Sequence, residues 1–181
     1  KRAAALAGSF PAVVFDPGHL SLVKGAPEGR RKFLDAALCQ LYPGYLASYR
    51  RYVRVLQQKN ALLRHSANGQ ERPYAEKRTL LEVLNTELAA QEEELRAGQS
   101  LCGIHREDLE LLLDDQPARV YASQGQQRSV VLSLKMAEAA AAAQITGEHP
   151  VLLLDDVLSE LDEGRKQYLL TCMKEKQTFV T

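Results

Sequence analysis

Three things are scarce or missing in this chain, and each absence removes a class of function. Charge of one sign is the first: 23 Lys and Arg offset 23 Asp and Glu among 181 residues. No overall basic field exists for histone-like binding of nucleic acid, although a local basic patch stays open. Long apolar runs are the second. Nothing approaches the ~20 residues of a membrane span, and the opening Lys1-Arg2-Ala3 stretch has no signal-peptide core behind it, so a soluble protein is expected. Cysteine is the third: Cys39, Cys102 and Cys172 are odd in number, widely separated and without His or Cys at zinc spacing. Buried free thiols in a reducing cytoplasm are expected, rather than a disulfide framework or a zinc site. Apolar residues are plentiful at 45%, enough for the core of one domain with an appendage.

The most informative stretch is Val151-Leu152-Leu153-Leu154-Asp155-Asp156, continuing to Asp162. Four apolar residues running straight into two acids predict a strand buried on both faces that ends where charge is needed. Ligands gather beyond the carboxyl ends of strands in open α/β sheets, and a carboxylate pair there suits hydrated Mg²⁺ and an attacking water beside a nucleoside triphosphate. A core strand followed by an acidic helix cap would read the same way. Upstream, Ser123, Gly125 and Gln126 open a helical run. They offer a hydroxyl, backbone N–H groups and the positive end of a helix dipole, the parts of an anion cradle; a plain N-cap and turn uses the same residues. The spacing decides between these readings. One long helix and a short loop fit between the cradle and the acids, as in ATPases of the ABC class.

Phe10 to Phe15 predicts a short strand, ended by the turn Asp16-Pro17-Gly18. Pro27 predicts a helix start, with Glu28 in the first turn and an apolar face at Phe33, Leu34, Ala37, Leu38 and Leu41. Arg30 and Arg31 sit near that start against the dipole preference; they form either a solvated or salt-bridged face or a contact to phosphate or DNA. From Pro43 the stripe Tyr45, Tyr49, Tyr52, Leu56, Leu63, with Lys59 in one slot, predicts a helix that pairs with another. Its expected partner is the run Leu81, Leu84, Leu88, Gln91, Leu95 across a loop from His65 to Pro73, giving an antiparallel arm. Asp108 to Leu113 and Ala118 to Tyr121 predict a hairpin leading into the Ser123 loop. A helix from Gln126 to about Ile145, packing Val130, Val131, Leu134 and Ala137, a second over Glu163 to Met173, and a strand over Gln177 to Thr181 complete the chain.

In order along the sequence, Lys24-Gly25-Ala26-Pro27-Glu28-Gly29-Arg30-Arg31-Lys32-Phe33-Leu34-Asp35, Gln58-Lys59-Asn60-Ala61-Leu62-Leu63, Gly103-Ile104-His105-Arg106-Glu107-Asp108-Leu109, Ser123-Gln124-Gly125-Gln126-Gln127-Arg128 and Leu152 to Asp162 closely resemble the bacterial RecF family, recombination mediator ATPases related to SMC proteins. The resemblance covers nearly the whole chain. It implies an α/β fold, a partial ABC-type P-loop ATPase head with an inserted antiparallel helical arm. Residues 1–42 would be head before the arm, 43–97 the arm, and 98–181 head again with signature, Walker B and D-loop.

The resemblance also implies roles, with ATP and Mg²⁺ as cofactors. Asp155 would be the Walker B acid holding Mg²⁺ through water, and Asp156 the catalytic position that orients or activates the hydrolytic water. Ser123, Gly125 and Gln126 would form the signature that contacts ATP on the opposite subunit, so that ATP joins a homodimer. Ser159 and Asp162 would belong to the D-loop, and Thr181 stands where many ABC proteins keep a switch His. The family's Gly-x-x-x-x-Gly-Lys-Ser/Thr loop does not occur here, and its arm is longer than this one. The implied function is an ATP-gated, weakly DNA-stimulated ATPase that binds duplex DNA near single-strand gaps and helps RecO and RecR load RecA. It would work in the bacterial cytoplasm at the nucleoid. Candidate DNA contacts are Arg30, Arg31, Lys32, Arg50, Arg51 and Arg54. An SMC-like tether and a transporter nucleotide-binding subunit are the alternatives; the short arm counts against the first and the lack of a coupling sequence against the second.

Overall fold

The structure, a computed structural model, describes residues 10–67, 97, 104–174 and 176–181. The chain forms two compact units, Lys1–Leu46 with Asp108–Thr181, and Ala47–Glu107.

The first unit is built on a parallel sheet of β1 (Ala12–Phe15), β4 (Val151–Leu154) and β5 (Thr178–Val180), in the order β1-β4-β5. Register pairs Val13 with Leu152 and Phe15 with Leu154, and Leu153 with Phe179. Side chains alternate across the sheet, so Val13, Phe15, Leu152 and Leu154 share one face. There they pack with Leu132, Ala139, Leu161 and Leu169 into the main core. Burying each of the larger side chains contributes roughly 1.5–3 kcal/mol, which makes this face the anchor of the unit. The opposite face differs from the expectation of a strand buried on both sides. Val14 is 41% exposed, Leu153 36% and Phe179 55%, one apolar row across three strands. No described helix covers it, so the apolar run reflected sheet identity without guaranteeing two packed layers.

Asp16 caps a 3-10 turn, Pro17–Leu20, accepting from the Gly18 amide at 2.7 Å, and α1 (Ser21–Lys24) follows directly. Pro at the first position then starts α2 (Pro27–Leu41), as predicted. Its most buried side chains are Arg30 and Leu41, while Leu34 remains 39% exposed.

The predicted hairpin shrinks to β2 (Leu112–Leu113) and β3 (Gln116–Pro117), joined through Asp114 and Asp115 at φ 51 and 60. Two successive left-handed residues make the tight turn that suits strand twist. Ala118–Tyr121 is a helical turn, α4, rather than a strand. Ala118 is fully buried beside Val23 and Val131, with its amide on the Leu111 carbonyl at 2.8 Å; an extended continuation would carry it away from that second core.

The long helix α5 (Gln124–Thr146) begins two residues earlier than expected because Ser123 is its N-cap. Its buried row is Gln127, Val131, Leu132, Lys135, Ala139 and Ala142, so only Val131 of the predicted face is buried. Lys135 is accommodated by Glu138 at 3.0 Å and by the Phe33 ring, 4.7 Å from its ammonium. Gly147, at φ 76, closes the helix in the left-handed conformation. Helix α6 (Glu163–Met173) returns the chain from β4 to β5 with the predicted bounds.

In the second unit α3 (Tyr45–Ala67) carries the aromatic stripe. It continues through Ala67, so the first residues of the expected loop are helical. Leu63 is fully buried and Lys59 is 5% exposed, a buried cation within the stripe. Tyr52 Oη lies 2.6 Å from His105 Nδ1. The expected partner run from Leu81 to Leu95, and Cys102, lie outside the described residues. Cys39 and Cys172 are half-buried, rather than buried as expected.

Candidate functional site

β4 delivers Asp155 and Asp156 to the carboxyl end of the sheet, and neighbouring residues orient both side chains. The Asp155 amide donates to the Phe15 carbonyl at 2.9 Å, which fixes its backbone against β1. Thr181, just past β5, donates its hydroxyl to Asp155 Oδ1 at 2.6 Å and its amide to the Leu154 carbonyl at 2.9 Å. One carboxylate oxygen of Asp155 is thereby held and the other remains for solvent or a ligand.

Asp156 turns the chain. At φ 50 it occupies the left-handed region that side chains with a short polar arm tolerate best. Ser159 donates to Asp156 Oδ1 at 2.6 Å. The predicted catalytic acid and the first predicted D-loop residue therefore form one local hydrogen-bonded turn. Beside it lies a cavity of about 50 Å³, with Asp16, Arg128 and Asp156 around an apolar wall that includes Phe15, Leu132 and Leu161. That volume admits one or a few waters, far less than a nucleotide. Arg128 and Asp16 were not among the predicted site residues; the polar run after Ser123 was the available signal for Arg128.

The second predicted element is the amino end of α5. Ser123 and Gln126 make a reciprocal capping box: the Ser123 amide donates to Gln126 Oε1 at 2.8 Å, and the Gln126 amide to Ser123 Oγ at 3.3 Å. The plain N-cap reading is thus correct, and it does not remove the anion-binding one. Gln124 and Gly125, the first two helical residues, have amides without a partner among the described residues, and Ser123 and Gln126 are exposed. Gln127 is buried and donates to the Ala122 carbonyl at 2.7 Å, which locks the approach to the turn.

Asp162 caps α6 by accepting the Arg165 amide at 2.9 Å and also holds the Arg165 guanidinium at 2.7 Å. That guanidinium reaches Gly125: a Cβ there would lie 3.4 Å from Arg165 Nη1. The Ser123 and Asp162 turns thus come together within one chain, through a residue the sequence did not single out.

The basic candidates separate. Arg30 is only 5% exposed. It donates Nε and Nη2 to the two Asp108 oxygens at 2.7 Å each, and Nη1 to the carbonyls of Leu22 and Gly25 at 3.0 and 3.1 Å. The hydrogen bonds from Arg30 hold the Asp108 carboxyl below the usual carboxylate range. The structure shows the salt-bridged reading of Arg30, with its guanidinium committed inside the unit. Arg31 is half-buried, Lys32 pairs with Glu28 at 2.6 Å on the surface, and Arg50, Arg51 and Arg54 are exposed along α3.

Among the described residues no group of three or more His, Cys, Asp or Glu side chains could enclose a metal. Two hydrogen-bonded carboxylates with oxygen to spare do fit Mg²⁺, which keeps several waters and takes its other ligands from phosphate.

No family model matches the chain. Sequence relatives do: RecF of Heliobacterium modesticaldum, a DNA replication and repair protein, is 36% identical over 240 residues, a match covering 100% of this chain and 64% of the relative. RecF of Macrococcus caseolyticus is 38% identical, covering 100% and 65%. The matched stretch exceeds this chain's 181 residues, so the relatives carry intervening residues with no counterpart here. Two solved structures share the fold. One, of the recombination mediator protein RecF-ATPrS in the RecFOR pathway, has a TM-score of 0.81 at 27% identity and covers 98% of this chain and 63% of its own. The other, of RecF-ATP in the same pathway, has a TM-score of 0.78 at 28% identity, with 97% and 62% covered. The chain spans a little under two thirds of the length of these relatives.

Proposed function

The chain belongs to the RecF family of DNA replication and repair proteins, and from that premise we propose that it is the signature- and Walker B-bearing part of an ATP-dependent recombination mediator. The observation that carries this reading is the acid pair at the end of β4, with Asp155 held by Thr181 and Asp156 by Ser159. ATP with Mg²⁺ would supply the phosphoryl group to be transferred to water. Asp155, one oxygen held by Thr181, would hold Mg²⁺ through water with the other, and Asp156 would orient or activate the attacking water. Ser123 offers a hydroxyl and Gly125 a helix-end amide to the triphosphate held by a second copy, while Gln126 holds that turn through its capping bonds with Ser123. Ser159 and Asp162 keep the intervening turn in place. The Gly-x-x-x-x-Gly-Lys-Ser/Thr loop is absent from these 181 residues, so its phosphate contacts are assigned to no residue here.

Residues 1–42 and 98–181 form the head in this reading and 43–97 the arm. The nucleotide-joined dimer, acting in the bacterial cytoplasm at the nucleoid, binds duplex DNA beside a single-strand gap and works with RecO and RecR to load RecA. Affinity comes from Arg31, Arg50, Arg51 and Arg54 reaching phosphate, and is therefore steeply salt-dependent and indifferent to sequence. No described helix is long and apolar enough to cross a membrane.

The test is sedimentation of the full-length protein with and without ATP and Mg²⁺. Wild type sediments as a dimer only with nucleotide, and Ser123→Arg and Asp155→Asn each lose that shift. Undiminished pairing in both variants overturns the assignment.

A further inference from the structure

We infer that Arg165 is a positioning residue that fastens the D-loop turn to the signature turn, so that neither can move without the other. The inference rests on the reading above for what the two turns do, but its geometric basis is independent of nucleotide.

Arg165 lies in the first turn of α6, where a cation opposes the helix dipole. A side chain so placed would ordinarily extend into solvent, yet it is folded back. Asp162 holds it twice, taking its amide on one carboxylate oxygen and its guanidinium on the other, at 2.9 and 2.7 Å. The guanidinium then lies against Gly125, in the first turn of α5, where an added Cβ would meet Nη1 at 3.4 Å. Two helix ends thus converge on one planar cation, whose charge is offset by Asp162. Gly125 is held from its own side as well, its carbonyl accepting from the Ser129 hydroxyl at 3.0 Å.

Arginine suits this position better than lysine. Its planar fork can keep one nitrogen on the carboxylate while its body rests against the glycine, whereas a single ammonium reaches one or the other. A methyl at position 125 would lie in van der Waals contact with that guanidinium, 3.4 Å from Nη1. Displacing the α6 turn therefore moves the guanidinium from beside Gly125.

Two measurements on the full-length protein test this. The first is a double-mutant cycle of thermal midpoints without nucleotide. Alanine is the better helix former at position 125, so Gly125→Ala raises the midpoint when Arg165 is already alanine and raises it further when the Arg165 guanidinium is there to meet the new methyl. An equal shift in both backgrounds overturns the contact. The second is nucleotide-dependent self-association beside ATP affinity. Arg165→Ala weakens pairing by about ten-fold, a typical size for coupling between sites, with ATP affinity within about two-fold of wild type by the same measure of precision. Arg165→Lys restores only part of the pairing. Equal loss in ATP affinity and pairing, full rescue by lysine, or no loss would each refute the coupling. If wild type itself fails to pair with nucleotide, the functional reading falls, while the thermal cycle still decides whether Arg165 braces Gly125.

Discussion

Replacing Arg30 by methionine isolates the guanidinium, because the new side chain keeps an unbranched apolar stem of similar reach. Four hydrogen bonds disappear: two to Asp108 and one each to the carbonyls of Leu22 and Gly25. Asp108 retains solvent, its side chain being 37% exposed, so its two lost bonds are discounted to about 1 kcal/mol together. A stranded interior carbonyl costs about 1–3 kcal/mol. The Leu22 bond is buried and the Gly25 bond only partly so, which puts the two carbonyls near 2 kcal/mol together by the same scale. The expected loss is about 3 kcal/mol, a fall in thermal midpoint of roughly 6–12 °C for a protein of this size.

Calorimetry or circular dichroism of the purified protein reads the shift directly. DNA affinity per folded molecule should be unchanged, because the guanidinium does not face outward. A midpoint within about 2 °C of wild type, no more than about 1 kcal/mol, together with a loss of DNA affinity, would refute the reasoning and restore Arg30 as a phosphate contact. Acid titration adds a sign. The Asp108 carboxyl sits below its usual 3.8, chiefly through the Arg30 hydrogen bond, so its contribution is complete above pH 3.8 and is lost as the pH falls toward the lower folded value. Asp108→Asn should remove that acid limb and leave the wild-type and variant curves converging below it.

Three further outcomes follow from the same geometry. Thr181→Val should lower the ATPase turnover of the full-length protein about ten-fold while Thr181→Ser retains most of it, since only the hydroxyl holds Asp155; equal activity of the two variants would remove Thr181 from the site. Gly147→Ala, forced into φ 76 at the end of α5, should cost about 1 kcal/mol in a urea melt, and Gly147→Asn less. Lys135→Met should lose about 3 kcal/mol by leaving Glu138 buried without its partner, and pairing it with Glu138→Leu should recover part of the loss in the same melt.

Much of the site was legible before any coordinates. The bounds of α6, the start of α2 at Pro27 and the strand ending in two acids were all local signals: a capping residue, a fixed φ and an apolar run cut off by charge. The Ser123 turn was legible too, because an N-cap is written within three or four residues. Other features were not. Position 118 favoured a strand by its neighbours but became a helical turn because Ala118 had to reach the core beside Val23. The buried face of α5 was misjudged because Gln127 and Lys135, polar by type, are buried through a backbone carbonyl and through Glu138.

The amino-acid order alone therefore determined which residues could carry the chemistry, since strand ends, caps and motif spacing are properties of a few successive residues. Which of them meet was decided only in three dimensions. Arg30 and Asp108 lie 78 positions apart, and Thr181 and Asp155 lie 26 apart. Such pairs depend on how the sheet and helices pack, and packing is a sum over the whole unit that no short stretch contains. The same sum buried Arg30 in an interior clamp and brought Arg165, unremarked in the sequence, beside Gly125.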